Sequence, residues 1–260
     1  MEERPNPVSS PILALETIAV RFGALRAVDG VSLALQRGER RAVIGPNGAG
    51  KTTLFNAITG VIVPAEGRVL IDGEDVTRAP PHRRARKGMG RTFQITNLFA
   101  NLTVAENMRL ALRGVGPGKF AVFARDRLTP EEHARVERAL AAARLSGRES
   151  ALVRELSYGE QRQLELAMAL VAEPRLLLLD EPAAGLSPAE RTYVAEIVRA
   201  LPRDLTIVLI EHDMELALGL VDHVTVMHNG RILTEAAPDR IRGNEAVQEV
   251  YLGRPHRAAG

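Results

Sequence analysis

The sequence predicts an α/β protein built round an open, largely parallel sheet with its ligand site at the carboxyl ends of the strands. Three stretches carry that expectation. The first is Gly45-Pro46-Asn47-Gly48-Ala49-Gly50-Lys51-Thr52, set between Arg41-Ala-Val-Ile44, which reads as a short buried strand, and a segment at 53–58 that reads as a helix. The second is the leucine run at 176–179, ending in Asp180-Glu181-Pro182. Such a run suits a strand buried on both faces. The third is Leu-Thr-Ile-Val-Leu-Ile at 205–210, which ends in Glu211-His212-Asp213.

The chemistry of the first stretch is that of a phosphate-binding loop. A polyphosphate needs donors converging on closely spaced oxygens with no side chain in the way, and Gly45, Gly48 and Gly50 let successive N–H groups curl round an anion. Lys51 adds charge for the β- and γ-phosphates, Thr52 offers a hydroxyl to Mg²⁺, and the following helix points its positive end at them. Asp180 and Glu181 are not explained by packing, because a buried acid pair without a metal or donor is expensive. Asp180 is placed to hold Mg²⁺ through a water, and Glu181 to polarise an attacking water. His212 is a candidate for the γ-phosphate, although a strand-end histidine taken alone is more often structural.

The remaining elements follow in order. Residues 1–11 form a polar, Pro-rich arm. Segments 12–20 and 31–35 are β-capable and bracket Phe22, which sits at a turn or strand end and serves either as core or as a ring stacking on adenine. A turn at 64–67 leads to a strand at 68–71, and 88–94 is a short extended segment. Leu102-Thr103-Val-Ala-Glu106 opens a helix with a capping box, Gly114 to Gly118 break it, and 130–144 forms a charged amphipathic helix. In Leu156-Ser157-Tyr158-Gly159-Glu160-Gln161 the same signal recurs, Ser157 capping and Glu160 at the third position. Besides starting a helix, the Ser157 hydroxyl, Gly159 and a positive helix end can form a second anion site. Residues 222–227 and 231–234 read as a hairpin through Asn229-Gly230, and 244–252 as a terminal helix before a loose tail. The expected organisation is the arm, a nucleotide-binding core with a β subdomain (12–94 and 173–242), a strand-free helical subdomain (95–172), and a C-terminal helix and tail (243–260).

Composition excludes several classes. Hydrophobic residues at 45% and charged residues at 25% are those of an ordinary folded protein, whereas disorder needs fewer apolar groups. No apolar run reaches the roughly 20 residues of a membrane span, and the start lacks the pattern of a secretory signal, so a cytoplasmic protein is expected. With no cysteine there is no disulfide, thiolate metal site or cysteine nucleophile. The basic run His82-Arg-Arg-Ala-Arg-Lys87 reads as a solvated face. No aromatic interleaves with it to offer a nucleic-acid platform, and no nucleic-acid partner is expected.

A phosphate loop, then Leu-Ser-X-Gly-Glu-Gln, then a leucine strand ending Asp-Glu-Pro, then a strand ending in His: this order resembles the ATP-binding subunits of ABC transporters, from Leu13 to about Gly253. The resemblance implies a P-loop NTPase, RecA-like core with an antiparallel β subdomain and an inserted helical subdomain. It implies ATP and Mg²⁺ as ligands, and a second ATPase subunit, related but not identical, facing this one head to tail. Carried over by position, Phe22 matches the adenine-stacking aromatic, and Gly45 through Thr53 the phosphate loop, with Lys51 and Thr52 at its end. Gln94 matches the glutamine that touches Mg²⁺ and senses the membrane subunits. Ser157, Gly159 and Glu160 match the signature, Asp180 the Mg²⁺-linked aspartate, Glu181 the catalytic glutamate, and His212 the switch histidine. Ala184-Gly-Leu-Ser187 matches the loop that crosses to the partner. Tyr158 and Ser187 depart from the usual glycine and aspartate.

Gly90-Arg-Thr-Phe-Gln94, Asn97-Leu-Phe99, Ile210-Glu-His-Asp-Met214 and Val247-Gln-Glu-Val-Tyr-Leu-Gly253 are similar to the high-affinity branched-chain amino acid branch, which also includes ATPases for urea, short amides and aromatic acids. That likeness implies the larger ATPase of a bacterial importer. Two transmembrane permease subunits and, indirectly, a substrate-binding protein would be its partners, at the cytoplasmic face of the inner membrane. Other classes are a soluble ATPase of this type acting on DNA or ribosomes, a P-loop kinase, and a nucleotide-binding regulator. Salt-sensitive DNA binding, a phosphorylated product, or absence of phosphate release would single out each in turn.

Overall fold

The protein is described by a computed structural model over residues 10–92, 98–115 and 128–252. β1 (Leu13–Phe22) and β2 (Leu25–Leu35) pair antiparallel across a turn at Gly23-Ala24. β3 (Arg40–Ile44) feeds the loop and α1 (Lys51–Thr59); β4 (Glu66–Ile71) returns to β1, and β5 (Glu74–Asp75) extends that sheet. Next come α2 (Pro81–Arg86), β6 (Met89–Arg91), α3 (Val104–Val115), α4 (Pro130–Ala142), α5 (Tyr158–Leu170), β7 (Leu176–Asp180), α6 (Pro188–Ala200) and β8 (Thr206–Ile210). The described chain ends with α7 (Met214–Leu218), β9 (His223–His228), β10 (Arg231–Ala236), α8 (Pro238–Arg242) and α9 (Glu245–Leu252).

Two sheets result, an antiparallel one ordered β2-β1-β4-β5 and a larger one ordered β10-β9-β3-β8-β7-β6. In the larger, β9, β3, β8, β7 and β6 run parallel, and β10 closes the edge as a hairpin strand. Asn229 and Gly230 both have positive φ, 49° and 77°, as a tight hairpin turn between right-twisted strands requires.

The alternation along a strand explains why apolar runs were needed here. Leu176 and Leu178 join a cluster with Leu54, Phe55 and Ile58 of α1 and the inner face of the antiparallel sheet, while Leu177 and Leu179 join Val194, Ile197 and Val198 of α6 on the opposite face. Both faces are therefore covered, and each fully buried leucine contributes roughly 1.5–3 kcal/mol. α3, α4 and α5 enclose a third cluster around Met108, Leu140 and Leu164. Among the described residues between 98 and 171, the ladder contact present is one isolated bridge, Thr103 to Leu152. The capping boxes at Thr103–Glu106 and Ser157–Glu160 form as expected.

The basic run departs from expectation. It forms α2, and Arg84 within it is fully buried rather than solvated. Its guanidinium donates to the carbonyls of Ala57 and Ile58 at the end of α1, at 2.7 and 2.5 Å, and to those of Thr77 and Ala79 at 2.9 Å each. Arg40, also buried, does the same at the end of α6, donating to Leu201 O at 2.6 Å and Arg199 O at 3.2 Å. Helix carboxyl ends carry unpaired carbonyls and partial negative charge, so a buried cation is stabilised there without a carboxylate.

Candidate nucleotide site

Every described site residue with a polar side chain at a strand end lies at the carboxyl edge of the parallel sheet. At the end of β3 the backbone of Gly45 takes φ 150°, and a Cβ there would stand 2.2 Å from Met227 O. Gly50, at φ 98°, caps α1, and a Cβ would stand 2.3 Å from Ala27 O. The loop is therefore wedged against β9 and β2, and only glycine fits at these two positions. Gly230 N–H reinforces it by donating to Ala49 O at 3.0 Å. Lys51 is buried and donates to the loop's own carbonyls, Gly45 O at 2.7 Å and Pro46 O at 3.0 Å. Burial pulls its ammonium pKa down, and the nearby Glu181 and Asp180 charges oppose that.

A cleft of about 550 Å³ opens over the loop, lined by Phe22, Asn47, Lys51, Thr52, Glu181 and His212 among others. Gly48, Ala49, Gly50 and Thr53 line it too. Phe22, at the end of β1, is 53% exposed. That exposure favours a stacking ring over a core residue, the two readings its position left open. Glu181 is 6% exposed and has a left-handed backbone, φ 51°. Such a conformation is unfavourable by roughly 1–3 kcal/mol for a residue with a Cβ and is typical of functional sites. Its Oε1 lies 2.5 Å from His212 Nε2.

Strand-end residues divide the work. Glu211 is buried and accepts from the N–H groups of Ala183 and His212 at 3.0 and 3.1 Å, holding the turn after Glu181 against the end of β8. Burial raises its pKa, the N–H groups of Ala183, His212 and Asp213 lower it, and the Glu181 charge raises it further. Asp213 caps α7 through Leu216 N–H. Neither Glu211 nor Arg91 was singled out by sequence reasoning. The available signal for Glu211 was a carboxylate directly continuing a fully apolar strand. Arg91, on β6, donates to Asp180 Oδ2, Asn56 Oδ1 and Thr59 Oγ1, each at 2.9 Å. Asp180 is buried to 1% exposure, and its other oxygen, Oδ1, has no hydrogen-bond partner among the described residues. Burial pushes its pKa up while Arg91 opposes the shift.

The remaining expected residues fall elsewhere. Ser157, Gly159 and Glu160 are not among the residues lining this cleft; they form the first turn of α5, beside the loop that enters α6. Ser187 caps α6 in its own capping box with Glu190, so a serine serves at this helix start. Gln94 lies outside the described residues.

A parallel sheet with a phosphate loop at the end of β3, two carboxylates at the end of β7, and β8 between them defines a P-loop NTPase of the α/β class. The family model described as ABC transporter matches residues 28–184. The chain belongs to that family. It is 39% identical over 255 residues to the high-affinity branched-chain amino acid transport ATP-binding protein BraF of Pseudomonas aeruginosa, covering 95% of this chain and 99% of that protein. It is 38% identical over 253 residues to LivG of Escherichia coli K12, which bears the same functional description, again covering 95% and 99%. Among solved structures it is similar to the ADP conformation of MJ1267, an ATP-binding cassette of an ABC transporter, with a TM-score of 0.83 and 32% identity over 94% of this chain and 99% of that one. Among the described residues no helix is long and apolar enough to cross a membrane.

The wedged loop makes a prediction. Gly45→Ala drives a methyl into the Met227 carbonyl, which belongs to a packed strand and cannot swing away. ATP binding, measured by titration with a fluorescent analogue, is expected to weaken at least about tenfold, with a lowered unfolding midpoint. Wild-type affinity in that variant would show that β9 yields at little cost.

Proposed function

We propose that this chain binds Mg·ATP over the phosphate loop and hydrolyses it to power a branched-chain amino acid importer. It would act with a second ATP-binding subunit at the cytoplasmic face of the membrane. One observation carries the mechanism: Glu181 and His212 meet at 2.5 Å on the wall of the loop's cleft, whereas Ser157 and Gly159 lie outside it. Among the described residues, the site in a single chain holds the hydrolytic groups and has no second anion-binding wall. A partner subunit placed head to tail would supply that wall from its own α5 start, whose capped, positive helix end suits a γ-phosphate.

Within that closed pair, this chain's own groups divide the remaining steps. Lys51 moves from the Gly45 and Pro46 carbonyls to the β- and γ-phosphates, and the loop N–H groups take the remaining oxygens. Glu181 orients a water and accepts its proton, while His212 holds the Glu181 carboxylate in place and steadies the γ-phosphate. Phosphoryl transfer depends chiefly on such positioning and charge stabilisation. Thr52 and Asp180, with Gln94, would hold Mg²⁺, and the buried Asp180 Oδ1, without a hydrogen-bond partner among the described residues, fits that role. When bound, the ion would supply charge neutralisation for the phosphates. We assign the permease contact to a groove of about 360 Å³ lined by residues of α2, β6, α3 and α5, including Ala85, Ala111, Glu165 and Met168.

The cargo rests on the named relatives, and it is directly testable. Deleting the gene in its host, with other leucine carriers removed, is expected to abolish uptake of labelled leucine, and restoring it to recover uptake. Unchanged uptake would overturn the branched-chain cargo and leave the ATPase reading intact.

A further inference from the structure

Two capping boxes face each other at the edge of α5. Ser157 and Glu160 close one, and Ser187 and Glu190 close the other at the start of α6. The space between them is filled. A Cβ on Gly159 would stand 2.9 Å from Glu190 Oε1, and a Cβ on Gly185 would stand 3.2 Å from both Cε1 and the hydroxyl oxygen of Tyr158. The Tyr158 hydroxyl donates to Ala184 O at 3.4 Å and accepts from Arg162 Nη2 at 2.9 Å. Arg162 is buried, and its Nη1 donates to Glu165 Oε2 at 2.8 Å. Glu165 lines the groove between α2, β6, α3 and α5. At the opposite end, Ala184 N–H donates to Glu181 O at 3.0 Å. Contacts thus run without a break from that groove, through Glu165, Arg162 and Tyr158, to the backbone of Glu181.

We propose that Tyr158 is a positioning residue for ATP hydrolysis. It yokes the 184–187 loop, and with it Glu181, to the first turn of α5, and through Arg162 and Glu165 it ties both to the groove. The inference rests on Glu181 being the hydrolytic carboxylate. A residue held in a left-handed conformation keeps it only when its surroundings over-determine it. The Tyr158 ring packed on Gly185 and its hydroxyl on Ala184 O are two such constraints, applied three to four residues downstream of Glu181. A glycine at 158 would remove both and loosen the 184–187 loop from α5. The rival role for this residue is direct contact with a nucleotide carried by the facing subunit, for which its 43% exposure would suffice.

Steady-state kinetics separate the two. The assembly is purified from its host through a tag on the full chain, and phosphate release is followed against Mg·ATP concentration. Tyr158→Phe, which keeps the ring and loses the hydroxyl, is expected to lower kcat about fivefold with KM unchanged, the scale of its one hydrogen bond to the 184–187 loop. Tyr158→Gly is expected to lower it further, with an unfolding midpoint still close to wild type. Combining Tyr158→Phe with Arg162→Lys should give a loss no larger than the greater single loss, because the two act in one chain of contacts. A raised KM with kcat retained, unchanged kinetics, or losses that multiply would each overturn the proposal. Glu181→Gln run in parallel tests the premise separately: retained hydrolysis there would remove the hydrolytic assignment, whatever Tyr158→Phe does.

Discussion

Glu181→Gln is expected to lower kcat for ATP hydrolysis by about two to three orders of magnitude while leaving ATP binding within a few fold of wild type. The substitution is nearly isosteric, so the left-handed backbone and its contacts with Ile210 O and Ala184 N–H persist. What disappears is the group that accepts a proton, together with a negative charge beside Lys51. Losing that charge does not weaken the hold on a polyanion; it removes repulsion. The variant should therefore retain ATP and, where its partner subunit is present, collect as a closed pair that elutes earlier in size-exclusion chromatography. Phosphate release in a single turnover and filter binding of labelled ATP measure the two halves of the claim. Turnover within threefold of wild type would transfer the proton-accepting role to another group.

The parallel core was legible in the sequence because its requirements are local and strict. A run of leucines at 176–179 has few homes besides a strand covered on both faces, and it splits between two clusters as strand alternation demands. The loop glycines were legible as permissive residues. Their actual constraints, Met227 O and Ala27 O, belong to segments far away in sequence and became visible only in three dimensions. Polar strand ends announced Asp180, Glu181 and His212, whereas the backbone conformation of Glu181 and the bracing by Glu211 depend on β7 and β8 being neighbours. Arg91 was hidden for a similar reason. Its partners Asn56, Thr59 and Asp180 come from α1 and β7, and no spacing along the chain encodes that meeting.

Arg84 is the largest such departure, and replacing it is expected to be the most destabilising single change among the arginines of α2. A basic hexamer with no aromatic reads as a solvated face, and for Arg83 and Arg86 the reading holds, since both are exposed. Arg84 faces the opposite way, into the carboxyl end of α1, where four carbonyls converge on its three nitrogens. Burial depresses its pKa to about 10, yet it stays charged at neutral pH. Arg84→Met fills much of the space and removes the side-chain donor from all four carbonyls, two of them buried at a helix end where Ala57 O keeps Gly60 N–H at 3.3 Å. A loss of about 3–5 kcal/mol is expected by urea denaturation, the scale for removing one side of a buried charged contact. Arg84→Lys should recover only part, because a single ammonium cannot reach the four acceptors that a planar fork spans. Arg83→Met, at an exposed neighbour, should stay within about 0.5 kcal/mol. Because α1 carries Lys51 at its other end, loosening its anchored end should also raise the concentration of ATP needed for half-saturation. A drop in stability below about 1 kcal/mol in Arg84→Met would mean that the carbonyls find other partners, and that the buried cation is a consequence of the packing rather than one of its supports.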